Sequence, residues 1–374
     1  MKQRTYNIFL TVLFCLFIGG MFLGSLILPD KTFSQMENRN LEQAPKLSWS
    51  SVTSGEFMTK AEDYVNDQIL GRDFWVALKA WSERLSGKQE NNGVYFAKEN
   101  TLISRVETPA QSDLEKNAGY VNALVDNVDV PVYFGIIPSA ASIWADRLPE
   151  GAPTADEKAI IDGLYQAVQT HTIDLYSVLA AHQSEELYYR TDHHWTSLGA
   201  YYGYTALMDA MGLDPVPLEA HGKVTVSDQF YGTLFSSSGV RWLPPDHIDR
   251  YVSAEGVTVT AYPNGVPEPG SLYVDSFLEV KDKYSSFLGG NKPLCVIETT
   301  HTDAPKILVI RDSYSDSLAP FLTQNFSEIH LFDPRMNLSS VKDYVAQNDI
   351  DAVVVLYSIS NFVSEGSHLF VLGR

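Results

Sequence analysis

Between Lys306 and Leu356 the chain alternates in a way that leaves few folds open. Lys306-Ile307-Leu308-Val309-Ile310 has the length and β-branching of a buried strand. Arg311-Asp312-Ser313 turns, and Leu318, Phe321 and Leu322 then fall on one face of a helix. Glu328 to Phe332 reads as a strand, Ser339 to Gln347 as a helix, and Ala352-Val353-Val354-Val355-Leu356 as a third strand. Strand-helix-strand-helix-strand predicts a parallel sheet with helices on both faces. The same alternation starts near residue 110, with a helix over 113–127, a strand over 130–137 ended by Pro138, a helix over 154–170 and a short strand over 172–176. Residues 216–300 break it. They are rich in Gly, Pro, Ser, Tyr and β-branched residues, and read as a β-rich insertion, not a separate domain. The expected fold is therefore α/β, a doubly wound parallel sheet carrying an insertion.

The N-terminus adds a second constraint. Ile8 to Leu28 is almost uncharged and, at about 1.5 Å per residue, long enough for a hydrocarbon core of roughly 30 Å. It is long for a cleaved leader and no small-x-small site follows, which favours an uncleaved signal anchor over 1–29. Lys2 and Arg4 then stay inside, and the body lies outside a cell membrane crossed once. Residues 30–110 read as a polar tether, two helices interrupted at Gly71-Arg72-Asp73, and a short hairpin, ahead of the α/β region at 111–374.

Setting Lys2 and Arg4 aside leaves 25 basic residues against 46 acidic ones, a net charge of −21. Nucleic-acid binding needs basic surface, so that class is excluded, as is docking on anionic lipid by charge. Only two cysteines occur, Cys15 in the apolar run and Cys295 in the body, so the body has no disulfide of its own.

The chemistry concentrates in Arg190-Thr191-Asp192-His193-His194-Trp195-Thr196. In an extended backbone residues i and i+2 share a face, so Asp192 can lie beside the His194 imidazole. That pair is the orienting half of an Asp-His-nucleophile relay. Thr196 or Ser197 can cap a helix starting near Leu198. Ser313 is the candidate nucleophile, exposed where a strand turns into a helix whose first N–H groups can hold an oxyanion. The blander readings are a helix cap for Ser313 and a structural hydrogen bond for Asp192–His194. A metal site is a further reading of Asp192-His193-His194, but the other histidines lack ligand spacing and no metal or cofactor is called for. Manganese phosphoesterases with an Asp-His-His motif need upstream aspartate motifs not found here.

Thr191-Asp192-His193-His194-Trp195-Thr196 resembles the name-giving motif of the DHHW family and the Asp-x-His-Trp motif of the alginate O-acetyltransferases. Asp312-Ser313-Tyr314 is similar to their Asp-Ser-Phe turn. Glu37-Asn38-Arg39, Asn92-Gly93-Val94-Tyr95, Phe287-Leu288-Gly289-Gly290-Asn291 and Asp333-Pro334-Arg335 also resemble DHHW landmarks, so the likeness spans nearly the whole body. The resemblance implies an SGNH-hydrolase-like fold in which Asp192 orients, His194 is the base and Ser313 the nucleophile. It implies substrate contacts from Arg335 and Asn291, the latter as an oxyanion amide, and from Tyr314 in the nucleophile turn. Trp195, Tyr231 and Trp242 are candidates for a sugar groove. Arg311 stands where the SGNH pattern has glycine. The activity implied is acetyl transfer to a cell-surface polysaccharide, or hydrolysis, through acyl-Ser313. A membrane-bound O-acyltransferase partner would supply the acyl group. The competing reading is a non-catalytic scaffold that binds glycan during exopolysaccharide assembly.

Overall fold

The computed structural model describes residues 3–374. Lys2, one of the two cations assigned to the inner side, lies outside the described residues. The chain divides into two compact units, residues 1–88 with 236–242, and residues 89–235 with 243–374.

The smaller unit begins with helix α1, Gln3–Ile27, long and apolar enough to cross a membrane by length and composition. After a five-residue helix at Trp49–Thr53 come two longer ones, α2 (Glu56–Gln68) and α3 (Arg72–Leu85), separated where Gly71 takes φ 69°, a left-handed conformation glycine adopts without strain. The polar stretch read as a tether is tied down. Arg39 donates twice to Asp67 of α2, at 2.8 and 2.5 Å, and Arg72 of α3 lies 2.8 Å from Glu37. The Glu37-Asn38-Arg39 landmark is thus a clamp on the two helices.

The larger unit is built on an eight-stranded sheet: β1 (Val132–Ile137), β2 (His171–Thr172), β3 (Thr258–Ala261), β4 (Glu268–Pro269), β5 (Leu294–Glu298), β6 (Lys306–Arg311), β7 (Glu328–Phe332) and β8 (Ala352–Ser358). Their order across the sheet is β4-β3-β5-β7-β6-β8-β1-β2. From β7 to β2 the neighbours are parallel, as the alternation predicts. The expectation of a wholly parallel sheet is corrected at the other edge, where β5 runs antiparallel to β7 and β3 and β4 continue antiparallel. The stretch taken as an insertion therefore extends the sheet. Its strands are short and broken by turns, so no strand-helix alternation announced them. The rest of that stretch includes an antiparallel ribbon, 224–230 with 246–250.

Period-two alternation divides the sheet's side chains between two cores. Ile307 and Val309 enter one, against α4 (Leu175–Ala181), α5 (Ser197–Met211) and α6 (Ser315–Leu322). Leu308 and Ile310 enter the other, with Val121 and Leu124 from the helix over 111–127 and Ile161 and Leu164 from that over 157–167. Each such buried side chain contributes roughly 1.5–3 kcal/mol over leaving it exposed. A sheet packed on both faces presents its strand ends, and β6, β7 and β8 end at Arg311, Phe332 and Ser358.

Candidate active site

Asp192 and His194 do meet, but not on extended backbone. Residues 187–196 form a narrow loop closed by Thr196 N–H donating to Leu187 O (2.8 Å) and Tyr189 N–H to His194 O (3.2 Å). At its tip Asp192 Oδ1 accepts from the His194 backbone N–H (3.0 Å) and from His194 Nδ1 (2.6 Å). An aspartate that binds the backbone two residues on is a local turn device, so the turn itself builds the carboxylate–imidazole contact. Thr196 caps α5, accepting from Gly199 N–H at 3.2 Å.

The loop is held from outside by residues that carried no local signal. Asp246 accepts from Thr191 N–H (2.8 Å), Thr191 Oγ1 (2.6 Å) and Arg190 Nε (3.1 Å). Thr233 donates to Asp192 Oδ2 through its N–H (2.7 Å) and its hydroxyl (3.0 Å), while His193 Nδ1 sits 2.7 Å from that hydroxyl. Burial alone would raise the Asp192 carboxyl. The two imidazoles and the hydrogen bonds of His194 and Thr233 outweigh it and hold Asp192 ionised, well below the usual carboxylate range.

His194 Nε2 lies 2.8 Å from Ser313 Oγ, 119 positions along the chain. With Nδ1–H given to Asp192, Nε2 carries the lone pair and can take the hydroxyl proton. Tyr284 stacks on the imidazole at 3.9 Å and 11°, and its hydroxyl donates to Ser313 O at 3.0 Å. Nothing in its neighbourhood of sequence marks it for this place.

Ser313 follows β6 and precedes α6. Asp312, fully buried, pins the turn: Oδ1 accepts from Tyr314 N–H (3.1 Å), and Oδ2 from Ser358 N–H (2.9 Å), Ser358 Oγ (2.6 Å) and Asn361 Nδ2 (2.9 Å). The Tyr314 N–H, ahead of α6, is thereby occupied. Arg311, at the position where glycine is usual in the resembling pattern, is wholly buried, and its Nη1 donates to Asn291 Oδ1 at 2.9 Å. That bond fixes which way the Asn291 amide turns. Nη1 is also 2.9 Å from Asp316 Oδ1, but out of line for a hydrogen bond, and Arg311 Nε and Nη2 have no hydrogen-bond partner among the described residues. Burial pushes the Asp316 carboxyl up to about 6 against the opposing pull of Arg311.

Of the six residues expected to touch substrate or line a sugar groove, two are buried. Trp195 is completely enclosed. Its Nε1 donates to Tyr314 O (2.9 Å) and Ser317 Oγ (3.0 Å), so it joins the 187–196 loop to the turn at Ser313 and cannot line a sugar groove. Tyr314 is 3 % exposed, with its hydroxyl bonded to His193 O. Arg335 reaches back to Asp333 through Nε (2.8 Å) and Nη2 (2.6 Å) and stays partly exposed, and Asn291 is exposed. Tyr231 packs on Phe235 with ring centroids 4.4 Å apart, and Trp242 on Trp81, also at 4.4 Å.

Asp192, His193 and His194 also offer one ligand atom each within 4.8 Å of one another. Both oxygens of Asp192 and both nitrogens of His194 already have protein partners, so a cation would have to displace the contacts to Thr233 or Ser313.

The family model described as "DHHW protein" matches residues 116–332, a range that holds Asp192, His194 and Ser313. Among curated proteins, the probable alginate O-acetylase AlgJ of Pseudomonas syringae pv. tomato is 24% identical over 214 residues, 53% of this chain and 53% of its own. The chain thus spans about half the length of that relative. Among solved structures, a DHHW family protein from Eubacterium siraeum superposes with TM-score 0.67 at 25% identity, covering 75% of this chain and 95% of its own. Bacillus cereus PatB1 with a sulfonyl adduct superposes with TM-score 0.63 at 19% identity, covering 74% and 98%, and supports the fold.

Proposed function

The chain belongs to the DHHW family, and from that membership we propose that it is a membrane-anchored, extracytoplasmic O-acetyltransferase or acetylesterase of SGNH type. It acts on a cell-surface polysaccharide through an acyl-Ser313 intermediate. The observation that carries the reading is the unbroken chain Asp192 Oδ1–His194 Nδ1 at 2.6 Å and His194 Nε2–Ser313 Oγ at 2.8 Å. The AlgJ likeness supports acetyl transfer to polysaccharide as the class of reaction.

In this reading Ser313 Oγ attacks the acyl carbonyl as His194 Nε2 takes its proton, and the Asp192 carboxylate stabilises the imidazolium. The Ser313 N–H and the Asn291 amide, turned by Arg311, are the donors for the oxyanion. The tetrahedral species collapses, the leaving oxygen receives the proton from His194, and an acetyl ester remains on Ser313. A sugar hydroxyl or water, deprotonated at Nε2, then attacks that ester and frees Ser313. Residues 8–28 hold the enzyme at the membrane, where a membrane-bound O-acyltransferase would supply the acyl group.

The test is turnover of a chromogenic acetyl ester by the detergent-purified full chain, with and without chelator and an oligosaccharide acceptor. Ser313→Ala should lower turnover by about 10³-fold or more, with chelator neutral, and acetylated acceptor marks the transferase. Turnover untouched by Ser313→Ala sinks the acyl-serine mechanism, and loss on chelation alone moves the assignment to the Asp192-His193-His194 cluster as a metal site. A folded chain that turns over nothing and escapes a serine-directed sulfonyl fluoride fits the glycan-binding scaffold.

A further inference from the structure

Helix α3 carries an apolar stripe that is largely exposed, although Trp242 packs on Trp81. Phe74, Leu78, Trp81 and Leu85 are 62, 46, 44 and 82 % exposed. Their spacing of four, three and four places them within about 60° of the helix circumference. Lys79, Glu83 and Arg84 lie off this stripe. Four large apolar side chains in one line are not the scattered exposure any surface shows.

The position of α3 beside α1 says what covers the stripe. Trp75, next to Phe74, packs edge-on against Phe17 of α1, with ring centroids 6.0 Å apart. Phe17 lies ten residues before the end of α1 at Ile27, about 15 Å along the helix axis. Just before α3, the Leu70 N–H donates to Ser25 Oγ of α1 at 2.9 Å. The end of α2 meets α1 as well, where Val65 and Ile69 share an apolar cleft with Met21, Phe22 and Leu26. If α1 crosses a bilayer, the start of α3 is held against its outer half, from Phe17 near mid-span to Ser25 near the outer end.

We propose that α3 is an interfacial helix whose Phe74/Leu78/Trp81/Leu85 stripe is buried in the outer leaflet of the same membrane that α1 spans. The occupant is the lipid acyl and headgroup boundary. A helix with aromatic and leucine side chains on one face and charges on the others suits that boundary. The contact is apolar and does not depend on basic charge, in keeping with the acidity of the chain. It rests on the anchor reading above.

The experiment uses the full chain in lipid nanodiscs, with a nitroxide on a single cysteine. Cys295 is buried, and Cys15 is exposed on α1. Cys15 itself therefore reports on the anchor, and Leu78→Cys, Leu85→Cys and Glu83→Cys are made in a Cys15→Ala background. Collision with oxygen, which partitions into lipid, is compared with collision with a water-borne nickel chelate. The proposal expects oxygen-dominated collision at 78 and 85 and nickel-dominated collision at 83. Nickel-dominated collision at 78 and 85 would overturn it. So would protection from both reagents, which means that a second copy or another protein covers the stripe. If Cys15 is itself open to nickel, the anchor reading fails and the proposal with it; if Cys15 is in lipid while 78 and 85 are in water, only the proposal fails.

Discussion

At the scale of single residues, the site depends on side chains that never touch a substrate. Gly232 is the sharpest case. A Cβ there would stand 2.2 Å from Asp192 Cβ and 2.3 Å from its Oδ2, so any other residue must push the carboxylate off His194. Gly232→Ala is expected to leave the protein folded and to lower ester turnover on the order of 10²-fold, the cost of a displacement near 1 Å. Circular dichroism beside the turnover assay checks this, and unchanged turnover would show that the carboxylate tolerates the shift. The sequence shows Asp192, His194 and Ser313 because their chemistry is written in their types and local spacing. It hides Thr233, Asp246, Tyr284 and Gly232, whose parts depend on how distant loops fold against the Asp192 turn.

At the scale of elements, α5 and the turn at Ser313 are joined through one indole. Trp195 precedes α5 and reaches Tyr314 O, while its ring edge lies against Gly203 one and a half turns into the helix. A Cβ on Gly203 would come within 2.6 Å of Trp195 Cη2. Gly203→Ala should destabilise the larger unit by about 1–3 kcal/mol through overpacking, read as a lower Tm in thermal unfolding, and an unchanged Tm would mean the indole has room to move. The order of strands and helices from Lys306 onward is legible because apolar runs of strand length alternate with helical spacing. The antiparallel edge is not, since β3 and β4 are short and their pairing is set by partners far along the chain.

For the whole molecule, a helix fit to cross a membrane precedes a unit that brings Asp192, His194 and Ser313 into one hydrogen-bonded line. Expressed in cells, the full chain should sediment with membranes and stay there through a carbonate wash, and deletion of residues 3–27 should move it to the soluble fraction. Release of the full chain by carbonate would argue against an integral anchor. The Tyr284 ring lying flat on His194 has a wider consequence. With one face covered and Nδ1 held by Asp192, the imidazole cannot turn over, so a single nitrogen must serve both halves of the proposed reaction. The alcohol that departs and the alcohol that arrives then have to stand in the same place. Donor and acceptor cannot be present there together; they take turns at one doorway, and between visits the enzyme itself carries the acetyl group.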